Sequence, residues 1–420
     1  MQALPGYASP MARGAAVAAA MATALGSAPL ADEAMAAVET QAPSGVAWDD
    51  DGTIVFAGAA ADLPWEPTIG SPDAGMLVPG FVDCHTHLPF VGWRADEFEA
   101  RLRGVSYAEL HGSEGGIYRS SRMFHEATDD EVLAFCRPLL AEMLAQGTTA
   151  LELKTGYGLT AEGELRELAL AQRLRDEATL TCSITFLPCH AVPKGIDRDA
   201  WLDTVTSSLL PAAVASGIDA VDIYVEDIAF SIGDLERLAA AAAGVALRVH
   251  GDQLGDTGAA TAAARLGARS VDHLNHTSPE GVGALAAAGT IAVLLPASTA
   301  FMGLDPAPAA ALRAAGVPIA VATDCNPGTS PVVSMPHAIA AAASVYRIPP
   351  LDALTAATLN AAHVLGVAGR LGTLEEGKRA DVLVLDAPSF AQVPYRPGHD
   401  PVVATVIGGR LAAQGPEAAS

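Results

Sequence analysis

The middle of the chain alternates between short apolar runs and longer stretches rich in alanine and leucine. The longer stretches, such as residues 165–174 and 257–266, have the apolar spacing of helices, and one follows each short run. The short runs are almost continuously apolar, as is typical of parallel strands that are covered on both faces. There are eight of them, at residues 80–85, 149–153, 183–187, 220–225, 246–250, 269–273, 290–295 and 318–323.

Eight strand–helix units over about 240–260 residues match a (β/α)8 barrel of the TIM type, so the predicted class is α/β. An open, doubly wound sheet is the alternative architecture. Neither a GxGxxG stretch nor a Walker-type loop is found to support that alternative.

Both ends of the chain carry a different pattern. Residues 45–58 hold two short apolar runs around an Asp-Gly turn, which predicts a β-hairpin. Residues 381–386 and 402–408 are strand-like as well. We therefore expect one small sheet domain built from both termini, at residues 1–78 and 371–420, with the barrel at residues 79–370.

The composition is that of a folded chain with a large core and an anionic surface. Half of the 420 residues are hydrophobic, and 24 lysines and arginines stand against 48 acidic residues, for a net charge of −24. Because phosphate backbones and anionic membranes both favour clustered cations, we expect neither nucleic acid nor membrane as a partner. No apolar run approaches the ~20 residues that span a bilayer.

Cysteine usage and the start of the chain bear on the cellular compartment. Five cysteines, an odd number without CxxC spacing, argue against a disulfide framework and favour a reducing cytoplasm. Residues 15–24 are alanine-rich, follow Arg13 and weakly resemble the hydrophobic part of an export signal. Since alanine is a weak hydrophobe and no convincing cleavage site follows, we expect an extended or misassigned start instead.

Metal-binding side chains recur where the predicted strands end. His85 and His87 close the first run and point to the same face, because strand side chains alternate. His250 ends the fifth run, His273 ends the sixth, and Asp324 follows the eighth. The chemistry of a barrel lies at the C-terminal ends of its strands. We therefore expect His85, His87, His250 and Asp324 to hold a metal at one mouth of the barrel.

The donor set indicates the kind of metal and the number of ions. Three neutral imidazoles and one carboxylate suit zinc or ferrous iron rather than calcium or magnesium. Two-metal enzymes of this architecture commonly bridge their ions through a carboxylated lysine at the end of strand four. Residues 221–227 contain no lysine, and the nearest candidate, Lys154, belongs to strand two. One divalent ion is therefore expected.

Longer stretches carry a resemblance to a known family. Residues 79–87 and 372–381 resemble the amidohydrolase superfamily. Six further stretches resemble the imidazolonepropionase family within it, at residues 87–94, 154–158, 190–193, 250–253, 272–276 and 324–330. The resemblance implies a metal-bearing barrel with a small β-sandwich, which agrees with the fold predicted above, and a homodimer.

The resemblance also implies a reaction, the hydrolytic ring opening of 4-imidazolone-5-propanoate to N-formimidoyl-L-glutamate in histidine degradation. A bound metal can lower the pKa of water from ~15.7 toward ~7 and polarise the ring carbonyl. Asp324 is expected to act as the base for the water and later to protonate the departing ring nitrogen. His273 is expected to hydrogen-bond the carbonyl oxygen, the alternative being that it only orients Asp324 or another ligand.

The propionate of this substrate requires a local cation. Arg94 follows the two histidines on the first strand–helix loop, and its planar fork suits a carboxylate bidentately, the alternative being a surface arginine. Further substrate contacts implied by the resemblance are Tyr157, His190 and Gln253, with Asn326, Gly328 and Thr329 on the loop after strand eight. The alternatives are a packing role for Tyr157 and a plain turn at residues 326–328.

The chain departs from the family pattern at three places. Residues 112–119 follow the family's glycine-rich stretch only loosely, and residues 1–40 lack its opening strands, so no structure is predicted for them. Gln253 occupies a position that is often glutamate. Because an amide cannot act as a base, proton transfer falls to Asp324 and His273.

Two other function classes stay open at this point. The first is another hydrolase or deaminase of a cyclic C–N compound from the same superfamily. Arg94 and Tyr157 argue against it, because a neutral nucleobase has no carboxylate to bind. The second is a catalytically inactive relative that serves as a binding protein, and the intact set of metal ligands argues against that.

Overall fold

Three sheets organise the part of the chain that the computed structural model describes, residues 13–105, 115–242 and 244–415. In chain order the strands are β1 (Gly14–Ala18), β2 (Ala20–Thr23), β3 (Val38–Thr40), β4 (Ser44–Trp48), β5 (Ile54–Ala59), β6 (Ile69–Gly70), β7 (Met76–Pro79), β8 (Phe81–Asp83), β9 (Thr148–Lys154), β10 (Thr181–Cys189), β11 (Ala220–Val225), β12 (Ala246–Gly251), β13 (Ser270–His273), β14 (Ile291–Leu294), β15 (Ile319–Val321), β16 (Val382–Leu385), β17 (Val402–Ile407) and β18 (Arg410–Gln414).

The central sheet is the predicted barrel. Its eight parallel strands run from β8 to β15, each pairing with the next along the chain, and they coincide with the eight apolar runs. Just beyond the ends of β8 and β15, Thr86 and Cys325 form a parallel bridge, and the backbone N–H of His87 donates to the Cys325 carbonyl at 2.9 Å. These contacts close the sheet between its first and last strands.

Helices cover the barrel, so its strands are buried on both faces and the apolar runs need not alternate. The α-helices are α1 (Ala95–Leu102), α2 (Gly116–Glu126), α3 (Asp129–Ala145), α4 (Ala161–Glu177), α5 (Arg198–Thr204), α6 (Leu210–Ala215), α7 (Ile232–Ala241), α8 (Ala259–Arg265), α9 (Pro279–Ala288), α10 (Pro296–Met302), α11 (Ala309–Ala314), α12 (Met335–Val345), α13 (Pro350–Ala356), α14 (Leu359–Leu365) and α15 (Gln392–Tyr395). A π-helical segment, Val205–Leu209, joins α5 to α6, and 3-10 turns lie at Asp32–Met35 and Ala60–Asp62. None of the helices in the described ranges combines the length and apolar character needed to cross a bilayer.

Both ends of the described chain build a β-sandwich. One sheet has the order β5-β4-β1-β6, and the other has the order β18-β17-β16-β7-β2-β3. The predicted hairpin is the antiparallel pair β4–β5, and the antiparallel pair β7–β16 joins the N-terminal part to the C-terminal part. The boundaries at 78/79 and 370/371 remain a proposal. Strand β7 ends at Pro79, and the barrel begins with Phe81.

The alanine-rich stretch 15–24 belongs to this sandwich. Its residues form β1 and β2, and nearly all of them are buried. Packing is close at the start of this region, since a Cβ on Gly14 would lie 2.8 Å from the Trp48 ring. In the structure these residues are therefore strands of the sandwich. Residues 1–12 and the first part of the loosely matching stretch, 112–114, lie outside the described residues.

Candidate active site

The five predicted metal and catalytic residues meet at one mouth of the barrel. His85 and His87 directly follow β8, His250 lies in β12, His273 ends β13, and Asp324 follows β15. All five are buried, with at most 4% of each residue exposed. Parallel strands in a barrel bring their C-terminal ends to the same rim, and this places distant residues side by side.

His85, His87 and Asp324 stand at coordinating distances from one another, and His250 stands at such a distance from His87. The Nε2 atom of His87 lies 3.2 Å from Nε2 of His85 and 3.4 Å from Nε2 of His250. The Oδ1 atom of Asp324 lies 3.5 Å from Nε2 of both His85 and His87. Ligand atoms ~2.0–2.1 Å from a tetrahedral ion are separated by about 3.3–3.4 Å. The spacing of these atoms therefore fits a single ion bound among them.

Protonation of the imidazoles agrees with a ligand role. Burial, together with Lys154 and the neighbouring histidines, holds the pKa of His85 well below its usual range, and burial with His250 and Lys154 does the same for His87. Both rings are therefore neutral, which is the form that binds a metal. Neutral imidazole nitrogens that converge in this way can bind a cation at their centre.

Carboxylates lie behind two of the predicted ligand rings. Oδ2 of Asp272 lies 2.6 Å from Nδ1 of His85, and Oδ2 of Asp222 lies 3.0 Å from Nδ1 of His250. The contact with Asp272 is a hydrogen bond and turns Nε2 of His85 toward His87, and the Asp222 carboxylate lies close enough to His250 to act on it electrostatically. Sequence reasoning assigned no role to either aspartate. The available signal was a charged residue inside an otherwise apolar strand.

His273 lies next to the predicted ligands and belongs to the second of two groups that could hold a metal, the first being His85, His87 and Asp324. His85, His250 and His273 can also bring one nitrogen each within 4.8 Å of one another. Burial lowers the pKa of His273 to about 3, so the ring is neutral. The backbone of His273 has φ +79°, and that of Asp324 has φ +56°. Such left-handed conformations are uncommon in residues other than glycine, and they cluster at functional sites.

Asp324 is held between the first and last strands of the barrel. Asp83 accepts from the N–H of Thr323 at 3.0 Å and from its hydroxyl at 2.6 Å, which fixes the residue before Asp324. The backbone N–H of Asp324 donates to the carbonyl of His85 at 3.0 Å. Burial raises the pKa of the Asp324 carboxyl, while the neighbouring His273 opposes the shift. The carboxyl can therefore accept a proton more readily than an exposed aspartate can.

A cavity with about 440 Å³ of empty space, partly open to solvent, lies over these residues. Its lining consists of His87, Arg94, Ile117, Tyr157, His190, Tyr224, His250, Gln253, His273, Asp324, Asn326 and Thr329. Six of the seven predicted substrate contacts are in this set, and Gly328 is the one that is not.

Arg94 is a buried cation at this cavity rather than a surface residue. Its Nη1 donates to the carbonyl of Gly116 at 2.7 Å and to the hydroxyl of Ser120 at 2.6 Å. Nε lies 3.1 Å from Oε2 of Glu97. Gly328 packs on the guanidinium, since a Cβ at that position would lie 1.7 Å from Nη2. Arg94 therefore has one well-defined position.

The glycine-flanked turn after β9 brings Tyr157 and His190 to the cavity. The ring of His190 stacks on that of His87 with centroids 4.9 Å apart, and the Tyr157 ring lies 5.6 Å from His190. Gly156 has φ +131°, and a Cβ there would lie 2.8 Å from Nδ1 of His190. The glycine is thus needed both for the backbone conformation and for the close packing of the ring.

Gln253 has a fixed amide orientation. The hydroxyl of Tyr224 donates to Oε1 of Gln253 at 2.8 Å, and the backbone N–H of Gln253 donates to Glu226 at 2.6 Å. The NH2 group therefore points away from Tyr224. Tyr224, which sequence reasoning missed, is an aromatic residue in a buried strand, and such residues more often pack in a core.

The loop after β15 is tied together by the Asn326 side chain. Its Oδ1 accepts from the backbone N–H groups of Gly328 at 2.9 Å and Thr329 at 2.7 Å, and its Nδ2 donates to the Asp324 carbonyl at 2.7 Å. The turn predicted from Asn-Pro-Gly is therefore present. It also places Asn326 and Thr329 at the cavity.

Lys154 is fully buried and paired. Its Nζ lies 2.5 Å from Oδ2 of Asp222 and 3.2 Å from Oε2 of Glu152. An ammonium group engaged with two carboxylates is not a carboxylated bridge between metals. The expectation of one ion therefore stands as a proposal.

Comparisons with known proteins agree with this arrangement. A model of the amidohydrolase family matches residues 234–412. The imidazolonepropionase of Xanthomonas campestris pv. campestris (strain 8004) is 43% identical over 366 residues, covering 85% of this chain and 91% of that protein. That of Aeromonas hydrophila subsp. hydrophila is 42% identical over 342 residues, covering 80% and 83%.

A solved structure shares the fold. The zinc-bound adenosine deaminase from Xanthomonas campestris superposes with a TM-score of 0.66 at 19% identity, covering 94% of this chain and 92% of that one. At this identity the likeness extends to the architecture of barrel and sandwich. The sequence identity over most of its length shows that the chain belongs to the imidazolonepropionase family of the amidohydrolase superfamily.

Proposed function

We propose that this chain opens the ring of 4-imidazolone-5-propanoate with water and releases N-formimidoyl-L-glutamate, a step of histidine degradation. The observation that carries the proposal is a single cavity lined both by the metal-ligand cluster and by the buried cation Arg94. A hydrolytic centre and an anchor for a carboxylate thus face the same space. The relatives that are 42–43% identical support the same assignment.

His85, His87, His250 and Asp324 would hold one divalent ion, zinc or ferrous iron. When bound, such an ion lowers the pKa of water and polarises a carbonyl. The donor set fits this ion, because Asp324, His85 and His87 place their ligand atoms 3.2–3.5 Å apart and His250 stands 3.4 Å from His87. The His85 and His87 rings are also neutral.

The side chains around the ligands supply binding and proton transfer. Arg94 binds the propionate, and Tyr157, His190 and Gln253 contact the ring. Asn326, Gly328 and Thr329 form the loop that holds the amino-acid portion. Gln253 presents an amide and takes no proton.

The proposed proton route uses Asp324 and His273. The oxygen of water bonds to the ring carbonyl carbon while Asp324 accepts the proton. The neutral ring of His273 donates a hydrogen bond to the carbonyl oxygen as negative charge develops there. The bond from that carbon to the ring nitrogen then breaks, and Asp324 returns the proton to the nitrogen.

The direct test follows the loss of imidazolone absorbance when the metal-loaded enzyme is added. We expect turnover with the metal-loaded enzyme and none after chelation. A neutral nucleobase that is turned over faster than the imidazolone would overturn the proposed substrate.

Arg94→Ala is expected to raise KM about 100-fold while kcat falls much less, because the guanidinium mainly anchors the bound substrate. Arg103→Ala is the matched control. It removes an arginine at the end of the same helix whose side chain is 74% exposed, and it should leave KM unchanged. An unchanged KM in Arg94→Ala would remove the role given to Arg94.

We further propose that the enzyme is a cytoplasmic homodimer. All five cysteines are free thiols and four of them are buried, in keeping with a reducing compartment. Analytical ultracentrifugation should give twice the chain mass, and a monomer would contradict the homodimer.

A further inference from the structure

We propose that Glu152 is a positioning residue for the metal ligands and acts on both sides of the site through a chain of buried ion pairs, although it touches no ligand. The inference rests on the metal site of the proposed function. The chain runs His85–Asp272–Arg248–Glu152–Lys154–Asp222–His250.

The first arm runs from His85 to Glu152. Asp272 places Oδ2 2.6 Å from Nδ1 of His85, and Nη2 of Arg248 lies 2.7 Å from the same carboxylate oxygen. Nη1 of Arg248 then donates to Oε1 of Glu152. The position of the aspartate behind His85 is thus set by an arginine that Glu152 holds.

The second arm runs from His250 to the same glutamate. Asp222 places Oδ2 3.0 Å from Nδ1 of His250, and the Lys154 ammonium lies 2.5 Å from that oxygen. The same ammonium is 3.2 Å from Oε2 of Glu152. The two oxygens of Glu152 therefore hold the two cations, and each cation holds the carboxylate behind one ligand.

Strand geometry brings this chain of ion pairs together at two neighbouring levels of the barrel strands. Glu152 and Lys154 are two positions apart on β9, and Arg248 and His250 are two positions apart on β12, so each pair shares a face. In the strand register, Asp222 is opposite Arg248 and His250 is opposite Asp272. Every member has at most 2% of its surface exposed, so water does not screen these charges.

The net charge of this chain of ion pairs complements a divalent ion. Three carboxylates against two cations leave one negative charge, and Asp324 adds a second, which a divalent ion balances. Neutralising Glu152 leaves Lys154 and Arg248 without their shared acceptor and adds one positive unit near the ion. The two cations then interact more strongly with Asp222 and Asp272. These carboxylates orient the His85 and His250 rings less well and make them less basic.

The test is the affinity of the purified, folded apoprotein for Zn²⁺, measured by competition with a chelator. Glu152→Gln is expected to weaken Zn²⁺ binding about 10–100-fold, the range typical when residues that orient metal ligands are mutated. Co²⁺ absorption should also change in Glu152→Gln, because the ligand geometry relaxes. The matched control is Asp352→Asn. Asp352 is a buried residue on α13 whose ion pair with Arg313 lies outside this chain of contacts, and its loss should leave Zn²⁺ affinity unchanged.

A milder variant keeps the test decisive if Glu152→Gln does not fold. The Ser270 hydroxyl accepts from Nε of Arg248 at 3.0 Å and donates to Asp272 at 2.7 Å, so Ser270→Ala loosens one arm without removing a charge. It should weaken Zn²⁺ binding a fewfold, by less than Glu152→Gln. Wild-type affinity in both variants, or in Ser270→Ala where Glu152→Gln is unfolded, overturns the inference.

The same experiment separates this inference from the proposed function. A wild-type chain that binds one Zn²⁺ and opens the imidazolone, with unchanged affinity in the variants, overturns the role of Glu152 alone. A wild-type chain that binds no ion overturns both. Weakened Zn²⁺ binding in the variants of a chain that turns over only other substrates supports the role of Glu152 and overturns the substrate.

Discussion

Arg94 shows at the residue scale how a buried cation is kept in place. Its Nη1 is engaged by Gly116 and Ser120, its Nε faces Glu97, and Gly328 closes over Nη2. The glycine is needed for space, because any Cβ at position 328 would overlap the guanidinium. The proposed anchor for the substrate carboxylate thus depends on Gly328, a residue that follows the last strand of the barrel.

Gly328→Ala is expected to displace Arg94 and raise KM at least about tenfold. The change in kcat should be smaller, because the lost interaction is made equally to the bound substrate and to the transition state. Steady-state kinetics on the imidazolone measures both constants. The matched control is Gly369→Ala, where no heavy atom lies within 4 Å of the added Cβ. Equal KM values for the two variants would contradict the packing argument.

Sequence reasoning found some site residues and missed others for physical reasons. His85 and His87 were predictable because strand alternation sends both side chains to one face. Glu152, Asp222 and Arg248 were not, because each is a single charge in an apolar run, and its partners lie on strands distant in sequence. Only the barrel register shows that these charges meet.

At the element scale, one helix holds the turn that carries Tyr157. Oε2 of Glu167 accepts three backbone N–H groups, from Gly156 at 3.0 Å, Tyr157 at 2.9 Å and Gly158 at 2.8 Å. Glu164, one helical turn earlier on α4, accepts from the N–H of residue 159 at 2.7 Å. Burial raises the pKa of Glu167 to about 8, and burial together with Glu167 raises the pKa of Glu164 well above its usual range.

This pair of carboxyls predicts a pH-dependent stability. Their folded pKa values exceed the unfolded value near 4.5, so the folded state binds more protons between pH 4.5 and about 8. Their contribution to the free energy of unfolding is therefore complete at low pH and is lost as the pH rises through this window. The loss is on the order of a few kcal/mol.

Glu164→Gln removes one of the two titrating groups and the like charge beside Glu167. The free energy of unfolding should therefore fall less steeply between pH 5 and pH 9. Urea unfolding at a series of pH values measures it. Glu162→Gln, an exposed position on the same helix, should keep the wild-type slope. The same slope in both variants would rule out the buried pair as its source.

The barrel strands were predictable as elements, and the first strands of the sandwich were not. Eight near-continuous apolar runs matched eight buried parallel strands. Strands β1 and β2 are rich in alanine and show no alternation of apolar and polar residues. They form strands because they pair with other strands of the sheet. Strand β2 pairs with β7, and β7 pairs with β16 some 300 residues later. A local pattern carries no information on such pairing.

At the scale of the whole molecule, the sandwich joins the two ends of the chain. Its core contains Trp48, Ile54, Leu77, Val382 and Val406. Trp48 also packs closely on glycines of the first and last parts of the chain. A Cβ on Gly14 would lie 2.8 Å from its ring, and one on Gly409 would lie 2.4 Å from it.

Trp48→Ala should destabilise the fold by about 3–5 kcal/mol, because it opens a large cavity in this core. KM and kcat should be unchanged at temperatures where the variant is folded, since Trp48 does not line the substrate cavity. Tyr395→Ala, at an aromatic residue that is 82% exposed, should shift stability by less than about 0.5 kcal/mol. A changed KM in folded Trp48→Ala would show that the sandwich acts on the site.

The metal content of the purified chain tests the central claim most directly. Elemental analysis after loading with zinc or ferrous iron should give one ion per chain for the wild type and for His273→Ala, and far less for His250→Ala. His273→Ala should still lose about 10²–10³-fold in kcat, because the donor to the carbonyl oxygen is gone. Two ions per wild-type chain, or a full ion retained in His250→Ala, would contradict a single centre held by three imidazoles and Asp324.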